Sequence, residues 1–178
     1  MDKKELIFLV EDNAIFATTA QKSLEKDIGF EVKVFNTGEQ LLKFTDENPD
    51  LIPSIIILDY YLNSMVSEAM DGGMILARLK DPMIRNNPFR RVPVIMLSSA
   101  DEINIAVNLL KKGATDYILK DEIFFENLKK TIGNIINLRN YQTEIQFHKS
   151  KAEGYRKRLI LMSAIIIALL GLVFYLFT

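Results

Sequence analysis

Side chains capable of acid–base and phosphoryl chemistry follow short apolar runs. Glu11 and Asp12 follow "IFLV", Asp59 follows "SIIIL", Ser98 follows "VIML", and Lys120 follows "DYIL". If these runs are parallel strands, their carboxyl ends lie along one edge of the sheet, where sites form in open α/β folds. We therefore expect carboxylates, a hydroxyl and an amine to converge at this edge.

This set of groups suits phosphoryl transfer with a divalent cation. Adjacent carboxylates repel each other unless a cation neutralises them, and hard oxygen ligands suit Mg²⁺. A carboxylate can also act as a nucleophile and form an aspartyl-phosphate. Mg²⁺, an ammonium and a hydroxyl would neutralise charge on the transferring group, which is the main requirement of that reaction.

The alternation of apolar runs with amphipathic stretches predicts the elements that position these groups. Three of the runs are almost continuously Val, Ile, Leu or Met, which is typical of parallel strands covered on both faces. Strand–helix units in series predict an α/β fold, a doubly wound five-stranded parallel sheet with helices on both faces, over residues 1–140. The predicted strands are 5–10, 31–35, 54–59, 92–99 and 116–120.

Composition excludes several classes of function. The 178-residue chain has no cysteine and a single histidine, His148, so disulfides, thiol catalysis and a histidine-based zinc site are excluded. Its formal net charge of −1 gives no indication of a nucleic-acid partner.

Four segments resemble the receiver domains of two-component response regulators: "IFLVEDN", "IIILDY", "VPVIMLSSAD" and "KKGATDYILK". The resemblance implies a flavodoxin-like receiver with Asp59 as phosphoacceptor, taking its phosphoryl group from a histidine kinase or phosphotransfer protein. It also implies that Glu11 and Asp12 hold Mg²⁺ together with Asp59 and the backbone carbonyl of Tyr61.

The same resemblance assigns three further roles. The Ser98 hydroxyl would meet the phosphoryl group, Lys120 would pair with its oxygens, and Tyr117 would be the aromatic switch of the fifth strand. A receiver of this kind is not an enzyme beyond its own phosphorylation and dephosphorylation. Each residue also has a plain alternative. Asp59 and Ser98 could be ordinary strand-end polar groups, and Lys120 could be a solvated lysine. The Glu11–Asp12 pair could be helix-capping acids, and Tyr117 could be an ordinary strand aromatic.

The chain departs from the family pattern in three places. The loop after Asp59 is longer, with Asn63 where proline is common, and "KDPMIRNNPFRRVP" enlarges the connection before the fourth strand. We expect that second connection to be a solvated loop. Asp121 replaces the proline that commonly follows the lysine through a cis bond, so Lys120 would need another backbone route.

The end of the sequence predicts a membrane anchor. Residues 141–158 indicate a basic, helical linker, and Leu159–Phe177 carry no charge over a length that spans a bilayer core of about 30 Å. We therefore expect a single C-terminal transmembrane helix over 159–178. The basic residues before it predict a cytoplasmic receiver at the inner or plasma membrane. Small residues at helical spacings, Ser163, Ala164, Ala168 and Gly171, could allow a homodimer.

The leading hypothesis is a membrane-anchored phosphorelay receiver without a separate output domain, which signals through contacts with an unidentified downstream protein. The alternative is a membrane-tethered pseudo-receiver that binds partners without using phosphate. A Mg²⁺-dependent phosphohydrolase fits less well, because such enzymes commonly have a second aspartate two residues after the nucleophile, where this chain has Tyr61.

Overall fold

The structure is a computed structural model that describes residues 5–27, 29–62, 69–99 and 103–176, with only the backbone described over 164–176. The chain divides into two compact units, Met1–Gly133 and Asn134–Thr178. The predicted boundaries at residues 140 and 158 stay a prediction.

The first unit is built on a five-stranded parallel sheet with the strand order β2-β1-β3-β4-β5. This confirms the predicted doubly wound α/β fold. Every residue of β3 and β4 is buried, as the continuous apolar runs predicted. The strands are β1 Leu6–Val10, β2 Glu31–Phe35, β3 Ile55–Asp59, β4 Val94–Ser98 and β5 Asp116–Leu119.

Helices follow each strand, and local sequence signals set their ends. The Thr37 hydroxyl caps α2 by accepting a hydrogen bond from the Gln40 N–H. Gly29 and Gly113 have positive φ angles of 79° and 100° just after α1 and α4, a conformation that favours glycine. The helices are α1 Ala14–Asp27, α2 Gly38–Glu47, α3 Gly72–Lys80, α4 Ile103–Lys111 and α5 Phe124–Leu176.

Helix α5 contains all of the predicted linker, 141–158, which is helical throughout. Among the residues described, no helix combines the length and the apolar character that a membrane span needs. The predicted span, 159–178, falls mostly on residues 164–178, whose side chains lie outside the described part of the chain. The anchor therefore stays a prediction.

The connection between α3 and β4 is more ordered than the expected solvated loop. It contains a 3₁₀ helix, Pro88–Arg91, and the Phe89 side chain is buried. Asn87 caps this helix, and the Lys80 ammonium donates hydrogen bonds to the backbone carbonyls of Arg90 and Val92. The buried Phe89 side chain and the hydrogen bonds from Lys80 thus hold the connection against the sheet domain.

Candidate functional site

Two acidic side chains are buried where β1 and β3 end. Glu11 is 1% exposed and Asp59 is 4% exposed. The Glu11 N–H donates to the Phe35 carbonyl at 3.0 Å, so the residue after β1 is still held by β2. The Tyr60 N–H donates to the Leu97 carbonyl at 2.8 Å, which fixes the backbone after Asp59 in the same way.

Lys120 joins these two acids. Its ammonium lies 2.6 Å from Glu11 Oε2 and 2.8 Å from Asp59 Oδ2. The Lys120 N–H donates to the Ser98 carbonyl at 2.8 Å, which aligns the end of β5 with the end of β4. The described residues contain no cis peptide bond. Lys120 therefore reaches the acids through a trans backbone, with Asp121 following it.

Glu11, Asp12 and Asp59 each present a carboxylate oxygen within 4.8 Å of the others. Asp12 is exposed, so the cluster opens to solvent on its side. Burial raises the pKa of Glu11 above its ordinary value, and the Asp59 charge adds to the rise, although hydrogen bonds from Lys120 and the Asn13 N–H oppose it. Three carboxylates facing one ammonium leave excess negative charge, and such an oxygen set fits a divalent cation.

The other predicted residues lie beside this cluster. Ser98 is fully buried at the end of β4, next to Leu97, which pairs with Asp59 across the strands. Tyr117 is half-buried on β5, pairs with Met96, and packs against the apolar core. The structure thus brings the predicted residues of four strands to one sheet edge. Their chemical roles stay predictions.

The residues after Asp59 approach it closely. The Tyr61 N–H lies 3.4 Å from Asp59 Oδ1, and the Gly72 N–H donates to the Tyr60 carbonyl at 3.0 Å. A Cβ on Gly72 would collide with the Asp59 carbonyl oxygen and lie 2.8 Å from the Tyr60 Cα. Only glycine therefore lets α3 begin this close to the site. Asn63, noted above as a departure from the family pattern, lies outside the described residues.

Two contributors to the site were not anticipated. The residue that caps the N-terminus of α1 is Asn13, and not Glu11 or Asp12. Its Oδ1 accepts hydrogen bonds from the N–H groups of Ile15 and Phe16 at 3.1 Å each. The Phe16 ring lies 4.4 Å from the Lys120 ammonium, in cation–π geometry. The sequence signal for Asn13 was the preference of asparagine for helix N-caps.

Comparison with known proteins identifies the family of the chain. The family model described as "Response regulator receiver domain" matches residues 7–132. The chain is 34% identical over 119 residues to the chemotaxis protein CheY of Listeria monocytogenes, across 65% of this chain and 86% of that protein. It is 29% identical over 132 residues to the transcriptional regulatory protein ZraR of Escherichia coli, across 74% of this chain. It spans only 26% of the length of ZraR.

Solved structures share the fold. A response regulator receiver domain protein from Clostridium thermocellum superposes with a TM-score of 0.63 at 22% identity, covering 78% of this chain and 98% of that one. The Mn²⁺-bound form of response regulator Rcp1 superposes with a TM-score of 0.58 at 22% identity, covering 72% of this chain and 90% of that one. With the family model matching most of its length, the chain belongs to the response regulator receiver domain family.

Proposed function

We propose that this chain is a phosphorelay receiver that accepts a phosphoryl group on Asp59 from a histidine kinase or phosphotransfer protein. The observation that carries the proposal is the buried Asp59 carboxylate, 2.8 Å from the Lys120 ammonium and clustered with Glu11 and Asp12. A buried carboxylate that only ended a strand would not gather two more acids and a lysine from other strands. A phosphoryl-transfer centre needs such a set.

In the proposed step, an Asp59 carboxylate oxygen attacks the phosphorus of a phosphohistidine. The new O–P bond forms as the N–P bond breaks, and the leaving imidazole nitrogen keeps the electron pair and takes a proton from water. Lys120 then exchanges its contacts with the two acids for a contact with a phosphoryl oxygen, and the Ser98 hydroxyl donates to another.

The acidic cluster is the proposed Mg²⁺ site, because its donors are hard oxygens gathered beside the acceptor. Glu11, Asp12, Asp59 and the Tyr61 carbonyl would hold the ion. When bound, it would neutralise negative charge that the carboxylates and the phosphoryl group share.

The output proposed for this receiver is a protein contact or onward phosphate relay, and not catalysis on a separate substrate. Movement of Ser98 toward the phosphoryl group would bias a two-state surface that includes Tyr117. Tyr117 is suited to this role because it is half-buried on β5 and packs against the core.

The test is phosphorylation of the full chain by a small acyl phosphate in the presence of Mg²⁺, read as the mass of the intact protein. We expect a gain of one phosphoryl group in the wild-type chain and in Asp50→Asn, which changes an exposed aspartate. Asp59→Asn should show no gain. Absence of an Asp59-dependent adduct with both the acyl phosphate and histidine kinases would favour the pseudo-receiver and refute the proposal.

We further propose that residues 159–178 anchor this receiver in the inner or plasma membrane, with residues 1–140 in the cytoplasm. The support is the uncharged run Leu159–Phe177 and the basic residues Lys149, Lys151, Arg156, Lys157 and Arg158 before it. The full chain should stay with the membrane fraction in high salt. Release by salt would contradict a spanning helix, because salt screens only surface electrostatics.

A further inference from the structure

Helix α5 carries a seam of mostly apolar side chains with heptad spacing over 138–158. Outside the seam, Phe147 is the one large apolar side chain in this range. Leu138 and Ile145 are 61% and 52% exposed, so nothing in the described chain covers them. The a positions of the seam are Leu138, Ile145 and Ala152, and its d positions are Tyr141, His148 and Tyr155.

The spacing identifies the kind of surface that covers the seam. Alternating steps of three and four residues average about 3.5 residues per turn, whereas a straight helix has about 3.6, so the seam drifts by about 20° per heptad. That drift is removed when two helices supercoil and their a and d side chains interlock. A flat membrane surface has no such requirement for a narrow, strictly repeating seam.

The partner must be a helix of similar length with the same repeat. Within the described residues, the helices other than α5 are at most 14 residues long, and they pack in the sheet domain. A second copy of α5 has both the length and the repeat. The seam is therefore complementary to itself.

Charged residues beside the seam favour a parallel arrangement. Glu144 is at a g position and Lys149 at the next e position, and these two positions face each other between chains in a parallel pair. The next such pair, Lys151 and Arg156, has like charges, and His148 places a polar ring at a d position. Both features weaken association without changing the register of the seam.

We propose that residues 138–158 of two copies of this chain form a parallel coiled coil, so that the protein is a homodimer joined through α5. This goes beyond receiver chemistry and does not depend on it. Its consequence is that two receivers share one tether, which fixes a high local concentration of one relative to the other.

Cysteine pairing tests the proposal directly, because the chain contains no cysteine of its own. Ala152→Cys places a thiol at a seam position, and Ser150→Cys places one at an f position on the other side of the helix. Both are small substitutions at exposed sites two residues apart. The Cα atoms in a disulfide are about 4.4–6.8 Å apart. In a parallel dimer, only the seam thiols come that close.

We expect mild oxidation of the full chain in a neutral detergent to give a disulfide dimer with Ala152→Cys and little with Ser150→Cys. Equal cross-linking of the two variants would indicate random collision or association elsewhere, including on a membrane surface, and would overturn the proposal. Absence of cross-linking in both would overturn it as well.

Measurement of molar mass by light scattering gives an independent test. Ile145→Ser, on the seam, should raise the dimer dissociation constant by at least about 100-fold, because each dimer loses two buried side chains. Phe147→Ser is the matched control, since Phe147 is 62% exposed but lies off the seam, and it should leave the constant unchanged. His148→Leu should tighten the dimer. If Ile145→Ser and Phe147→Ser changed the dimer dissociation constant equally, the proposal that the dimer forms through the seam would be refuted.

Discussion

Replacing Lys120 by methionine should destabilise the sheet domain strongly when no metal is present. The substitution keeps an aliphatic stem of similar length but removes the ammonium that lies between Glu11 and Asp59. Both carboxylates are almost completely buried, with side chains 1% and 5% exposed. Without the lysine, two adjacent buried acids repel each other with no counter-charge between them.

The geometry sets the size of the effect. Opposite charges 2.6 and 2.8 Å apart attract by about 6 kcal/mol each at an effective dielectric constant of about 20. Desolvation of the groups offsets much of this attraction. Removing one partner of a buried ion pair costs about 3–5 kcal/mol, and we expect Lys120→Met to fall in that range.

Hydrogen exchange of the amides in β1 and β3 measures this loss in the full chain, because those central strands exchange through the largest opening of the domain. In the presence of a chelator, Lys120→Met should exchange at least about 100-fold faster than the wild type. Lys129→Met is the matched control. It breaks an ion pair with Asp27 whose side chains are 40% and 37% exposed, and should accelerate exchange far less, because solvent screens that pair.

Two results would refute the reasoning. One is a loss from Lys120→Met no larger than that from Lys129→Met. The other is an equal loss of stability from Lys120→Met in the wild-type and Glu11→Gln backgrounds. In Glu11→Gln one buried charge is already absent, so the double-mutant cycle should show coupling between the two substitutions.

Three further predictions concern the same site. The pKa of Glu11 is raised from 4.5, so its contribution to stability is present below that pH and is lost as pH rises through the pKa of the folded state. Without metal, Glu11→Gln should therefore be more stable than the wild type from pH 4.5 upward. Thermal unfolding of the two proteins measures this difference. Phe16→Leu should cost about 0.5–2 kcal/mol through the lost cation–π contact, and should cost less once Lys120→Met is present, which a double-mutant cycle measures. Gly72→Ala should destabilise the domain and also slow phosphorylation of Asp59, because the added methyl group must displace the backbone after β3. If the substitution only lowered global stability, the phosphorylation rate of the folded fraction would stay unchanged.

The sheet and most of the site could be predicted because they depend on local patterns. Continuous apolar runs mark parallel strands, and parallel strands bring their carboxyl ends to one edge. Asp59, Ser98 and Lys120 could be placed together on that basis alone. The strand ends agree with the prediction to within about two residues, with β4 running over Val94–Ser98 where 92–99 was predicted.

The features that could not be predicted depend on contacts between distant residues. Phe16 lies on α1, and its approach to Lys120 depends on how α1 packs on the sheet. Phe89 stands in a segment rich in proline, asparagine and arginine, which is typical of a solvated loop. Its burial follows from packing of the 3₁₀ helix against α3 and the core, which the local pattern does not encode.

The hydrogen bond from Gly72 to Tyr60 has a consequence for how this receiver can change. Its 3.0 Å length closes a ring in the chain just beyond the acceptor, so the two ends of the connection are tied to each other. The entropy of closing a loop rises by only about 0.6 kcal/mol for each doubling of its length. Beyond Tyr61, the proposed metal ligand, the intervening residues are therefore free to be exchanged. Their length and composition can change while Asp59 and α3 keep their places, so recognition can diversify separately from chemistry.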